Sequence, residues 1–192
     1  MYANSSLPKL LAKENIDIRH GNYKTPWFDI KNRVLGLPMW KDMGKDVYDL
    51  FVGHEVGHAL IDVYQLPVTG LEENVADQFA SLMLSYTYDE STGDYSIGQD
   101  MLYNVGTWFW ISNELYSVNP DDYPFWDTHN LDIQRFYNIS CYAYGSDPQY
   151  NQDLVDEGYL PEDRAYWCEE EYLVMERAWS FLLKDFDNGF FD

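Results

Sequence analysis

Residues 54–58 read His-Glu-Val-Gly-His, so two histidines stand four positions apart and a glutamate directly follows the first. Positions i and i+4 lie one above the other on a helix, so His54 and His58 can direct two imidazole nitrogens at one point. A catalytic zinc ion takes three protein ligands and keeps a further position for water. Glu55 can reach that water without binding the metal, which makes it the candidate general base. The spacing therefore predicts a site for one Zn²⁺ ion.

Two helices are predicted to carry the residues of this site. Apolar residues recur at helical spacing before and after the motif, which predicts a helix over 46–65 that Pro67 brings to an end. Acidic residues then open a second apolar-periodic run, which predicts a helix over 71–86. Glu73 and Asp77 stand one turn apart on a single face of this second helix.

The identity of the third ligand decides the class of the site. A metzincin would carry glycine at position 61 and histidine at position 64, but the chain has Ile61 and Tyr64, which excludes that class. A glutamate delivered from the next helix remains. The sequence Glu-x-x-Ala-Asp at 73–77 resembles that of the gluzincins, the thermolysin-like zinc peptidases. It is similar in particular to the membrane prenyl-protein peptidases and their soluble relatives.

The resemblance to gluzincins implies roles for both acidic residues of that sequence. Glu73 is the implied zinc ligand, and Asp77 is implied to accept a hydrogen bond from the far nitrogen of a ligand histidine, His54. The physics agrees, because a metal-bound imidazole almost always donates its other N–H to a carboxylate or a carbonyl. Glu72 is the rival ligand at this point. Solvated carboxylates at a helix N-terminus, favoured there by the helix dipole, are the alternative without a metal.

A broader resemblance covers residues 25–185. Blocks of the chain are similar to those of a bacterial metallopeptidase family whose substrates are undefined. The blocks are 54–61, 66–70, 72–73, 76–78, 129–138, 144–148 and 160–165, together with Cys141, Cys168 and Trp179. The resemblance implies a peptidase and identifies no substrate.

Cys141 and Cys168 bear on the cellular compartment, because each lies in a block that resembles this family. A disulfide between them would indicate an oxidising compartment, and two buried free thiols are the alternative. Residues 1–16 lack an apolar block followed by a small-residue cleavage site. We expect a periplasmic or secreted protein whose leader is missing from this sequence, with a cytoplasmic protein as the alternative.

The length and the 46% apolar content predict one domain over 1–192, with residues 1–24 as a peripheral N-terminal segment. The expected fold class is α+β with helices dominant. The resemblance implies a zincin-like, gluzincin domain with a small N-terminal sheet packed on the active-site helix. Further helices are predicted over 98–117, 129–144 and 168–185, and extended segments over 15–19 and 27–37.

The extended segment just upstream of the motif is a candidate for substrate binding. In gluzincins a strand at this place lines the cleft and pairs with an extended substrate. Residues 33–37 are therefore expected to bind a peptide by adding it to the sheet as a further strand.

The net charge of −21 is unevenly spread, with +4 over residues 1–45 and −25 over residues 46–192. A surface this acidic repels nucleic acid and anionic lipid, which excludes both as partners. No run of apolar residues is long enough to insert into a membrane. The expected partner is a peptide or protein substrate, and the sequence does not set the oligomeric state.

Peptide hydrolysis also requires a group that stabilises the oxyanion. His129 is the first candidate, because the chain has four histidines and two of the others are predicted ligands; Arg135 and Tyr137 follow. The expected function is zinc-dependent hydrolysis of peptide bonds with Glu55 as general base. A zinc-binding or interaction module that has lost turnover is the alternative, and a helical scaffold without metal is the third reading.

Overall fold

The computed structural model describes residues 13–38, 44–89, 91–116 and 123–185. Contacts divide the chain into two compact units, the first with residues 1–80 and 179–192 and the second with residues 81–178. The single domain expected over 1–192 stays a prediction. Of the expected peripheral segment 1–24, residues 1–12 lie outside the described residues.

A three-stranded sheet lies in the first unit. Its strands are β1 (Asp17–Gly21), β2 (Trp27–Asp29) and β3 (Val34–Pro38), in the order β1-β3-β2. β3 pairs in parallel with β1 and antiparallel with β2. Every residue of β3 is buried, as expected for a continuous apolar run in a central strand. Both predicted extended segments therefore contain strands.

Two long helices follow the sheet: α1 spans Lys45–Tyr64 and α2 spans Glu72–Ser85. α1 contacts β2 and β3, and the residue that follows its last turn, Gln65, adopts a left-handed conformation with φ of 51°. The rings of Phe79 and Trp179 pack within the first unit with centroids 4.7 Å apart. The helix-dominated α+β class is confirmed, and so is a small sheet packed against the helix that carries His54 and His58.

Helices also build the second unit, which takes in the last turn of α2 and most of α7. α3 packs against α4, where Gly106 faces Phe136 and the hydroxyl of Ser140. Of the helices that the structure describes, none combines the length and the apolar character needed to cross a bilayer. The helices are α3 (Ser96–Leu115), α4 (Asp132–Ser146), α5 (Asp153–Asp156), α6 (Glu162–Ala165) and α7 (Cys168–Leu183).

Side-chain hydrogen bonds and a disulfide stabilise the segment between α4 and α7, which contains the short helices α5 and α6. The buried Asn151 donates its side-chain N–H groups to Gln99 Oε1 at 2.8 Å and to the Ala143 carbonyl at 2.9 Å. A disulfide joins Cys141 in α4 to Cys168 at the start of α7, 27 positions apart. Both sulfur atoms belong to fully buried residues. The disulfide is thus part of the interior of the second unit.

Replacing both cysteines by alanine is expected to lower the free energy of unfolding by roughly 3 to 4 kcal/mol, because closing a loop of this length restricts the unfolded chain by about that amount. Denaturant unfolding of the Cys141→Ala/Cys168→Ala variant measures the loss. A reducing agent should destabilise the wild type by a similar amount and leave the double variant unchanged. Equal sensitivity of the two proteins to reductant would contradict a stabilising disulfide.

Candidate metal centre

α1 and α2 approach each other closely where they carry the motif residues. A Cβ atom built on Gly57 would lie 3.0 Å from Ala76 Cα, and one built on Gly53 would lie 3.1 Å from Ala80 Cα. Side chains of ordinary size would hold these backbones farther apart. Small residues four positions apart on both helices therefore allow side chains from α1 and α2 to meet at one point.

Three candidate donor atoms meet at that point. His54 Nε2 lies 3.0 Å from Glu73 Oε2, His58 Nε2 lies 3.1 Å from the same oxygen, and the two nitrogens lie 3.1 Å apart. The imidazole rings are nearly perpendicular, with centroids 4.7 Å apart and an interplanar angle of 79°. His54 is buried, while His58 and Glu73 retain partial access to solvent. The structure thus brings together the two predicted ligands, His54 and His58, and Glu73, the ligand that the resemblance implies.

A carboxylate lies against the far nitrogen of each imidazole. Asp77 Oδ1 is 2.8 Å from His54 Nδ1, and Glu72 Oε1 is 2.7 Å from His58 Nδ1. An ionised carboxylate only accepts hydrogen bonds, so each Nδ1 carries the proton when its ring is neutral. Each Nε2 then presents a lone pair. Glu72, the rival ligand in the sequence, lies on the opposite side of His58 from the three donor atoms.

This donor set fits a divalent metal ion. Two imidazole lone pairs and a carboxylate oxygen within 3.1 Å of one another repel unless a proton or a cation lies among them. Imidazole and carboxylate are ligands that zinc and other divalent first-row metals accept. Neighbouring ligands of a tetrahedral ion at about 2.1 Å would be roughly 3.4 Å apart, a few tenths of an ångström more than these separations.

Glu55 is half-buried beside the two histidines. Burial raises the pKa of its carboxyl group, nearby Glu73 adds to this, and the charges of His54 and His58 together with a backbone hydrogen bond from Phe28 act in the opposite direction. The raised pKa shows that desolvation is the largest influence. A carboxylate held at the edge of a sheet and beside two imidazoles is well placed for proton transfer.

The candidate oxyanion residues belong to the second unit. His129 is exposed, and its backbone N–H and Nδ1 both lie near Asp127 Oδ1, at 2.9 and 3.3 Å. Arg135 is buried, with its guanidinium 4.3 Å from the centroid of the Phe109 ring. His129 and Arg135 line a cavity of about 480 Å³ within this unit. Their predicted catalytic roles stay predictions.

The expectation that residues 33–37 form a free edge for the substrate is wrong for the three residues at 34–36. Val34, Leu35 and Gly36 are paired with β1 on one side and with β2 on the other. A strand with partners on both sides has no free N–H and C=O groups for a peptide. The apolar run correctly predicts a strand here. Which strands pair with it depends on distant segments of the chain, and a local pattern does not contain that information.

The comparisons with known proteins identify a family. Residues 39–183 match the model of a family described as "Putative metallopeptidase", so the chain belongs to that family. No curated protein and no solved structure matches the chain. The family description agrees with a donor set that fits a metal, and it points to metal-dependent hydrolysis.

Widening the contact between the helices should disrupt the site. Gly57→Val is expected to lower the free energy of unfolding of the metal-free protein by roughly 1 to 3 kcal/mol, because the added methyl groups meet the backbone of Ala76. Metal affinity should fall as well, since Glu73 moves away from the histidines. Gly70→Ala is the matched control, because nothing lies within 4 Å of a Cβ atom there. A Gly57→Val protein with unchanged stability and metal affinity would contradict the importance of this contact.

Proposed function

We propose that this protein is a zinc-dependent peptidase of the gluzincin type. The observation that carries the proposal is the convergence of His54 Nε2, His58 Nε2 and Glu73 Oε2 within 3.1 Å. A carboxylate lies at hydrogen-bond distance from the far nitrogen of each imidazole, as is usual for metal-binding histidines. Membership of a metallopeptidase family supports the same conclusion.

Zinc is the proposed ion, held by His54, His58 and Glu73. Three nitrogen and oxygen ligands with one open position are the usual arrangement of catalytic zinc in hydrolases. When bound, the ion would supply a Lewis acid that activates water and polarises the scissile carbonyl group. Asp77 would hold the Nδ1 proton of His54, so that the Nε2 lone pair remains directed at the donor site.

Glu55 is the proposed general base. Its carboxylate would accept a proton from the attacking water and then deliver that proton to the departing amine. Burial raises the pKa of Glu55, so its carboxyl group takes up a proton more readily than that of an exposed glutamate. The carboxylate is not one of the three converging donors, so it is available for this task.

An extended peptide is the proposed substrate, and we assign its pairing partner to β2. Among the strands that the structure describes, β2 lies at an edge of the sheet next to β3. The helix α1 packs against β2, and Phe28 within β2 is close enough to Glu55 for its backbone to lower the pKa of that carboxyl group. A peptide added along the free edge of β2 would therefore lie beside the general base. We also propose, from the sequence, that His129 or Arg135 stabilises the oxyanion.

We also propose an extracytoplasmic location, either periplasmic or secreted. The disulfide between Cys141 and Cys168 supports it, because such bonds persist chiefly in oxidising compartments. The acidic composition agrees with a protein that must stay soluble outside the cell.

Glu55→Gln should abolish most peptide cleavage while leaving metal content and melting temperature nearly unchanged. Glutamine has the same shape as glutamate, but its amide does not take up a proton near neutral pH. Loss of a general base lowers reaction rates by roughly 10²- to 10⁴-fold. The measurement is cleavage of a diverse peptide library by zinc-loaded, untagged protein. Glu157→Gln, an exposed substitution of the same kind, is the control.

Three outcomes distinguish the possibilities. Cleavage by the wild type that disappears only in Glu55→Gln supports the peptidase. Stoichiometric zinc without cleavage of any peptide favours a metal-binding module that has lost turnover. A wild-type protein that retains no zinc, or a Glu55→Gln variant with full activity, would refute the proposal.

A further inference from the structure

We infer that Glu72 is a positioning residue of the metal centre, which acts by orienting His58. The inference rests on the proposed function, because His58 is taken there as a metal ligand. It assigns a role to a residue that the sequence offers only as a rival ligand to Glu73.

The contacts of His58 carry the inference. Glu72 Oε1 lies 2.7 Å from His58 Nδ1, a short distance typical of a charge-assisted hydrogen bond. The side chain of Glu72 is 45% exposed, whereas that of Glu73 is 21% exposed. Consecutive residues of a helix project about 100° apart, so adjacent glutamates can reach opposite sides of one ring. Glu72 therefore holds the outer nitrogen of His58, and Glu73 faces the inner one.

His58 needs such a partner more than a fully enclosed histidine does. Its side chain is 15% exposed, against 5% for His54, so packing restrains its ring less. A ring without a fixed acceptor at Nδ1 can exchange tautomers or turn over, and either change removes the Nε2 lone pair from the donor site. A carboxylate that accepts the Nδ1 proton prevents both changes, and it makes the Nε2 lone pair a stronger ligand for a metal ion. Glu72 thus serves His58 as Asp77 serves His54.

The same geometry argues against Glu72 as a direct ligand. The two nitrogens of an imidazole point away from each other across the ring. An oxygen that accepts the Nδ1 proton cannot also coordinate an ion bound at Nε2 of the same ring. Glu73 Oε2, at 3.0 and 3.1 Å from the two Nε2 atoms, is the oxygen at the donor site.

The test compares zinc affinities of untagged variants by competition with a chelator. Glu72→Ala is expected to bind Zn²⁺ about 10- to 100-fold more weakly, as is usual when such an outer partner is lost. Glu72→Gln should lose less, because its amide oxygen can accept the same hydrogen bond. Glu170→Ala is the matched control: Glu170 is also an exposed acidic residue in the first turn of a helix, so its removal reproduces the change in helix-dipole interaction.

Proton NMR of the histidine ring N–H groups adds a readout that a purely structural role would not change. Glu72→Ala should move or broaden the Nδ1–H signal of His58 and leave that of His54 in place. This comparison also works on metal-free protein. Circular dichroism confirms that each variant is folded, and Glu72→Gln serves if the alanine variant is not.

The outcomes separate this inference from the proposed function. A Glu72→Ala protein with wild-type zinc affinity and an unchanged His58 signal would overturn the role of Glu72. A loss of zinc as complete as in Glu73→Ala, with a changed ligand number in the absorption spectrum of the Co²⁺ form, would overturn it in favour of direct ligation. If the wild type itself binds no zinc, the proposed function fails, and the His58 signal of the metal-free variants still tests the hydrogen bond.

Discussion

The close approach of α1 and α2 is the constraint on which the candidate metal centre depends. Gly53 and Gly57 on one helix face Ala80 and Ala76 on the other, with almost no space between the backbones. Each motif histidine directly follows one of these glycines in the sequence. The residues that set the distance between the helices are therefore neighbours of those that must meet. A shift of about 1 Å at this contact would separate donors that have to lie within one coordination sphere.

Without a cation, electrostatic repulsion among the groups of the same candidate centre would destabilise the folded protein. Four carboxylates, those of Glu55, Glu72, Glu73 and Asp77, lie around two imidazoles, and several of these groups are largely withdrawn from water. Asp77 and Glu72 satisfy the outer nitrogens, but the inner lone pairs face one another. A divalent ion would convert this mutual repulsion into attraction.

Local patterns in the sequence are sufficient to predict most of the long helices and part of the candidate site. The five long helices begin and end within a few residues of their predicted ranges, because apolar residues at helical spacing indicate them in the sequence. The spacing within one helix predicts His54, Glu55 and His58 as site residues. The roles of Glu73 and Asp77 are implied only by the resemblance to gluzincins. The place of β3 between β1 and β2 was not predicted, since it depends on pairing between distant segments. The contact of Glu72 with His58 also required knowledge of how two helices cross.

The central claim is that two imidazole nitrogens and one carboxylate oxygen hold a single divalent ion. X-ray absorption at the zinc edge of untagged, zinc-loaded protein tests it most directly. We expect one tightly bound ion per chain with about four light ligands near 2.0 to 2.1 Å and the scattering pattern of two imidazoles. A spectrum without imidazole scattering, or zinc that is removed by simple dialysis, would contradict it.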